Sequence, residues 1–67
     1  MIQITLEAAR VNAHLTQAEA AEKLGVTVQT LLNWEKGRTE PSMSQGRLIE
    51  QVYGLPIENI FLPLTSN

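Results

Sequence analysis

Gln29 and Asn33 are four residues apart, with Val28 and Leu32 beside them and Lys36 one turn on. At roughly 100° per residue, a helix through this stretch puts Val28, Gln29, Leu32, Asn33 and Lys36 on one side. A side-chain amide carries a donor beside an acceptor, the pair that matches the N6/N7 edge of adenine, and aliphatic groups can touch thymine methyls. No carboxylate falls on that side, and Glu35 stands at its border. Either amide alone would read as an ordinary solvated residue. Together with outward Val and Leu and no acid, they fit the reading of base edges better than they fit plain solvation. Other chemistry lacks its parts. The chain has one histidine, His14, and neither cysteine nor aspartate. Metal ligation and a nucleophilic triad therefore fail for want of partners, and no Gly-rich phosphate loop follows a strand. No catalytic residue, metal or cofactor is expected. His14 reads instead as an exposed residue capping a helix C-terminus.

Two elements must hold that face. Thr16 and Glu19 form a capping box for a helix whose inner face is Ala20, Ala21 and Leu24. Gly25 ends it, because a left-handed residue is needed there. Val26 plugs the turn, and Thr27 caps a second helix, Val28 to Lys36, which stops at Gly37. Thr30, Leu31 and Trp34 form the inward side of this second helix. Helices joined so tightly cross at a steep angle, which makes a helix-turn-helix. Gln17 opens the first helix, where free N–H groups and the dipole favour an anion such as a phosphate.

The pattern T16-Q17-A18-E19-x-A21-x-K23-L24-G25-V26-T27, then L31, then W34-E35-x-G37, resembles the phage repressor and Cro-like (Xre-type) helix-turn-helix family. The likeness extends more weakly from about Thr5 to Phe61. It implies an all-α, five-helix, lambda-repressor-like DNA-binding domain with a central helix-turn-helix, acting as a sequence-specific regulator of phage or prophage origin. In such a domain Val28, Gln29, Leu32 and Asn33 would contact bases. Gln17, Thr27, Lys36, Arg38 and Ser44 would contact phosphates. The resemblance also implies that Arg10, on the inner stripe of an earlier helix, pairs with Glu35 in a structural ion pair, with a second role near a phosphate open to Arg10. It places the meeting of two subunits at the C-terminal end, where Ile57, Ile60, Phe61 and Leu62 supply more apolar groups than so short a segment buries.

Sixty-seven residues make one domain, here with an arm at 1–4, the domain at 5–61 and a tail at 62–67. A core this small contributes little net stability, so packing or dimerisation must help. Five basic and seven acidic groups give −2, which is unusual for a nucleic-acid binder and predicts weak non-specific attraction with a shallow salt slope. The lack of cysteine, of a signal peptide and of a membrane span makes a cytoplasmic protein the expectation. Along the chain, Ile2 and Ile4 alternate with polar residues, as in an extended segment or a frayed terminus. Thr5 caps a helix over Leu6 to Ala13 with Leu6, Ala9, Arg10 and Ala13 inward. Ser42 caps another over Met43 to Tyr53, with Met43, Ile49, Val52 and Tyr53 inward and Leu48 on the flank. Gly46 either admits a neighbouring backbone or softens that helix. A last helix is expected over Ile57 to Phe61, halted by Pro63. The expected partners are duplex DNA with a palindromic operator and a second copy of the chain, at least on DNA, without a membrane. The chain looks like a short Cro-type regulator or an excised N-terminal domain. The other reading is an antitoxin-like interaction module whose apolar end binds a protein.

Overall fold

The computed structural model describes residues 4–61. Four α-helices follow one another: α1 (Leu6–Asn12), α2 (Gln17–Leu24), α3 (Val28–Glu35) and α4 (Met43–Tyr53). A 3-10 turn over Ile57–Asn59 then leads into a two-residue strand. Each helix starts where a hydroxyl can accept an orphan N–H. Thr5, Thr16, Thr27 and Ser42 accept from Ala8, Glu19, Thr30 and Gln45 respectively. Thr16 and Ser42 both complete capping boxes, because the Glu19 and Gln45 side chains accept from the Thr16 and Ser42 backbone N–H groups. Gly25 ends α2 at φ +72°, and the chain turns at once into α3.

One core joins the four helices. Leu6, Ala9, Ala20, Ala21, Leu24, Leu31, Trp34, Ile49, Tyr53 and Ile60 are buried in it. Small Ala20 and Ala21 let α2 pack closely against both α3 and α4, a geometry that larger side chains would spread apart.

The C-terminal end departs from the expected fifth helix. Helical geometry there lasts only the single turn Ile57–Asn59. Ile60–Phe61 forms a strand, β2, parallel to β1 (Ile4–Thr5), with Ile4 opposite Ile60 and Thr5 opposite Phe61. Pairing with the N-terminal segment satisfies backbone groups that a second helical turn would otherwise have used. Of the expected arm at 1–4, Ile4 is thus an edge of the domain, and residues 1–3 lie outside the described residues.

Two further expectations change and a third is narrowed. Met43 is 80% exposed rather than inward, because as the first helical residue it precedes the point where α4 reaches the core. Ala13 follows α1 as its cap instead of ending the helix, and exposed His14 comes after it at φ +62°, in the left-handed region. Of the two readings of Gly46, the softer helix remains: no backbone comes close, and a Cβ there would meet only Ile57 side-chain atoms, at 3.9 and 4.0 Å. Gly46→Ala should therefore stabilise the domain by about 0.5–1 kcal/mol through helix propensity and loss of unfolded-state freedom, read as a higher urea midpoint at unchanged m. A lower midpoint would mean that the added methyl displaces Ile57.

Candidate nucleic-acid interface

The capping of α2 and the left-handed Gly25 fix how α3 is presented. Val26 N–H donates to the Ala21 carbonyl at 3.0 Å, which closes the turn. Leu31 and Trp34 are buried and anchor the inner side of α3. On the outer side, Val28 is 42% exposed, Gln29 is exposed, and Leu32 and Asn33 are half-buried. Gln29 Nε2 donates to Asn33 Oδ1 at 3.1 Å. These four side chains form one surface of mixed amide and aliphatic character. Lys36 caps α3 and is exposed, as is Arg38 beyond it.

Glu35, the one acid of α3, is turned inward. Its side chain is 3% exposed and its Oε2 accepts from Arg10 Nε at 2.8 Å. Arg10, 7% exposed, also donates through Nη1 to the Leu15 carbonyl at 3.0 Å, and Glu7 stands 4.0 Å from Nη2. The guanidinium is therefore held inside the domain, and a phosphate role for Arg10 has no support in this geometry. Tyr53 on α4 senses the same pair. Burial pushes its phenol up to about 12, with Glu35 adding to the rise and Arg10 opposing it. On the far side of α2, Glu19 is held below its ordinary value by the Thr16 N–H and hydroxyl.

Gln17 is half-buried, and its Nε2 donates to Glu35 Oε1 at 3.3 Å. The residue at the N-terminus of α2 is thus tied to the far end of α3 through the carboxylate that also holds Arg10. Sequence reasoning missed this bond, since spacing does not reveal which way an amide eighteen positions away turns. The Thr27 hydroxyl is already engaged, accepting from Thr30 N–H and donating to Thr30 Oγ1. Ser44 is exposed in the first turn of α4, its Oγ 3.3 Å from that of Ser42. Gln45 closes the Ser42 cap through its side chain, as the Ser-x-x-Gln spacing signals.

At the C-terminal end, Ile60 is buried in the core at 3% exposure and so is absent from any open apolar patch. Ile57 is half-buried and lines an open groove with Pro41, Met43 and Gly46. The Phe61 side chain and Leu62 lie outside the described residues. No helix among the described residues is long and apolar enough to cross a membrane.

A helix-turn-helix family model matches residues 6–60. An uncharacterised HTH-type transcriptional regulator of Methanocaldococcus jannaschii is 43% identical over 49 residues, 73% of this chain and 74% of the relative. One from Methanothermobacter thermautotrophicus is 47% identical over 49 residues, covering 72% and 71%. A third, from Archaeoglobus fulgidus, is 36% identical over 53 residues, covering 79% and 75%. No solved structure matches the chain significantly. The match spans all four helices and the turn between α2 and α3, and the chain belongs to the Cro-like helix-turn-helix family of transcriptional regulators.

Proposed function

We propose that this chain is a sequence-specific duplex DNA-binding regulator of the Cro/repressor type that lays α3 in the major groove. Val28, Gln29, Leu32 and Asn33 contact base edges. Gln17, Thr27, Lys36, Arg38 and Ser44 contact the phosphates on either side. The observation that carries this reading is the outward side of α3. It holds two hydrogen-bonded amides between aliphatic groups, and its one carboxylate is withdrawn into an ion pair with Arg10. An acid left facing out would repel phosphates and spoil an otherwise neutral chemical edge. Thr27, with its hydroxyl engaged as the cap, would meet a phosphate through its remaining lone pair only as part of a water bridge, so the weight of backbone contact falls on Gln17, Lys36 and Arg38.

Gln29→Ala should cost about 1–3 kcal/mol in a sequence-dependent manner, concentrated where Gln29 meets its base pair. Gln17→Ala should weaken binding to all sequences alike. Fluorescence anisotropy over a set of single-base operator variants separates the two patterns. A Gln29→Ala loss that is equal for every DNA contradicts the assignment of α3.

The protein acts as a homodimer on a palindromic operator, joined through the C-terminal end with Ile57, Phe61 and Leu62. Ile57 supports this reading from the described part of the chain, since it lines an apolar groove beside exposed Met43. The same groove favours a second reading, in which that end binds a different protein, as in an antitoxin, and DNA binding is autoregulatory.

A further inference from the structure

The bond between Gln29 and Asn33 limits what each amide can offer a base. This inference rests on α3 being the helix that reads DNA. A primary amide has two N–H donors and one carbonyl oxygen. Gln29 Nε2 donates one N–H to Asn33 Oδ1 at 3.1 Å, across one helical turn, a spacing at which such side-chain pairs stabilise one another. Gln29 then keeps one N–H together with Oε1, a donor and an acceptor. Asn33 has its carbonyl drawn back toward the N-terminal end of α3, and the end it turns away from Gln29 is its NH2 group. Asn33 is half-buried and Gln29 is exposed, so Asn33 is the more confined of the two. The orientation of Asn33 is therefore set by its bond to Gln29 before any DNA arrives.

We propose that Gln29 and Asn33 act as one oriented dyad, in which Gln29 reads adenine and Asn33 reads a keto base. Adenine offers N7 as acceptor and N6 as donor in the major groove, which fits the donor and acceptor left on Gln29. Guanine offers O6 and N7 and thymine offers O4, all acceptors, which fit the NH2 group of Asn33. At that second position cytosine offers only an amino donor, and adenine offers N7 alone beside an amino group that opposes the second N–H, whereas guanine accepts through both O6 and N7. Two independent amides would behave differently, since each could rotate to fit adenine. Gln29 is thus both a reader and the positioning residue for Asn33.

The test is selection from a randomised duplex pool by the full chain, by Asn33→Ala to locate the Asn33 base pair, and by two variants at position 29. For the unaltered chain, the dyad predicts adenine at the Gln29 position and guanine or thymine at the Asn33 position. In Gln29→Ala, the preference for adenine at the first position should fall about tenfold. The keto preference at the second should fall as well, because Oδ1 is released and Asn33 can turn. In Gln29→Glu, the new side chain only accepts. It should draw the Asn33 NH2 inward, face its carbonyl to the DNA, and invert the second preference toward adenine or cytosine. If Gln29→Ala changes the first position alone, the dyad is wrong while α3 remains the reading helix. Adenine at the Asn33 position of the unaltered chain overturns it equally. A loss in Gln29→Ala that is uniform over all sequences would instead remove the reading of α3 on which the dyad depends. The acid of Gln29→Glu lowers affinity for every DNA by repelling phosphates, so that variant is read by its base preference alone.

Discussion

Glu35→Ala should destabilise the domain by about 3–5 kcal/mol, and Arg10→Ala by a similar amount. Each change strands the other charge in a poorly hydrated site, and it is this stranded charge that is costly. Arg10 and Glu35 are 9% and 3% exposed at their side chains and 2.8 Å apart. Glu35 also loses its bond from Gln17, and Arg10 its bond to the Leu15 carbonyl, in the respective variants. Domains of this size have only a few kcal/mol in hand, so either single variant should be largely unfolded at room temperature. A stabilising osmolyte brings the cycle into measurable range. The double alanine variant should lose much less than the sum of the singles, because no charge is left stranded. Additive losses in urea melts would mean that the two groups do not support each other. The apolar pair Arg10→Met with Glu35→Leu makes a sharper case. It should restore or exceed the original stability and still bind all DNA more weakly, since Gln17 loses the carboxylate that holds its amide.

Halving the palindrome should lower affinity by about 10²–10⁴-fold, the range expected when a second contact becomes intramolecular. One recognition helix reaches about four base pairs, too few to specify a site, so the proposed regulator is expected to bind as two copies on half-sites one helical turn apart. The charge balance makes the second copy more necessary. With five basic groups against seven acidic, a lone domain gains little from counterion release. Free protein should be monomeric or weakly dimeric at micromolar concentration and pair fully on the intact operator. Titrating intact and halved duplexes by sedimentation or anisotropy checks this. Equal affinity for both, with one domain on each, would remove the dimer and favour a different protein partner at the apolar end.

The helix-turn-helix was legible because its signals are local. Thr16 with Glu19, Gly25 and Thr27 act within one or two turns, so residue type and spacing suffice to place the ends of α2 and the start of α3. The outward side of α3 followed from periodicity alone. The C-terminal end was not legible for the opposite reason. Ile57 to Phe61 has too few residues for helical and extended periodicity to differ, and the choice is made by β1 at the other end of the chain. Met43 matched the inward stripe of α4 by spacing, but spacing does not say at which residue a helix meets its neighbours. The Gln17 bond to Glu35 and the Gln29 bond to Asn33 were hidden similarly. The sequence reveals that amides are present on a surface, while their rotation depends on what stands beside them.

The proposed function depends on the outward side of α3 reading sequence. Selection of bound duplexes from a randomised pool, run with the full chain at two salt concentrations, tests it most directly. One palindrome should be enriched at both, with half-site centres one helical turn apart and only a modest loss of binding at the higher salt, as few cations take part. Recovery of DNA at low salt with no enriched sequence, and its disappearance at high salt, would contradict that reading.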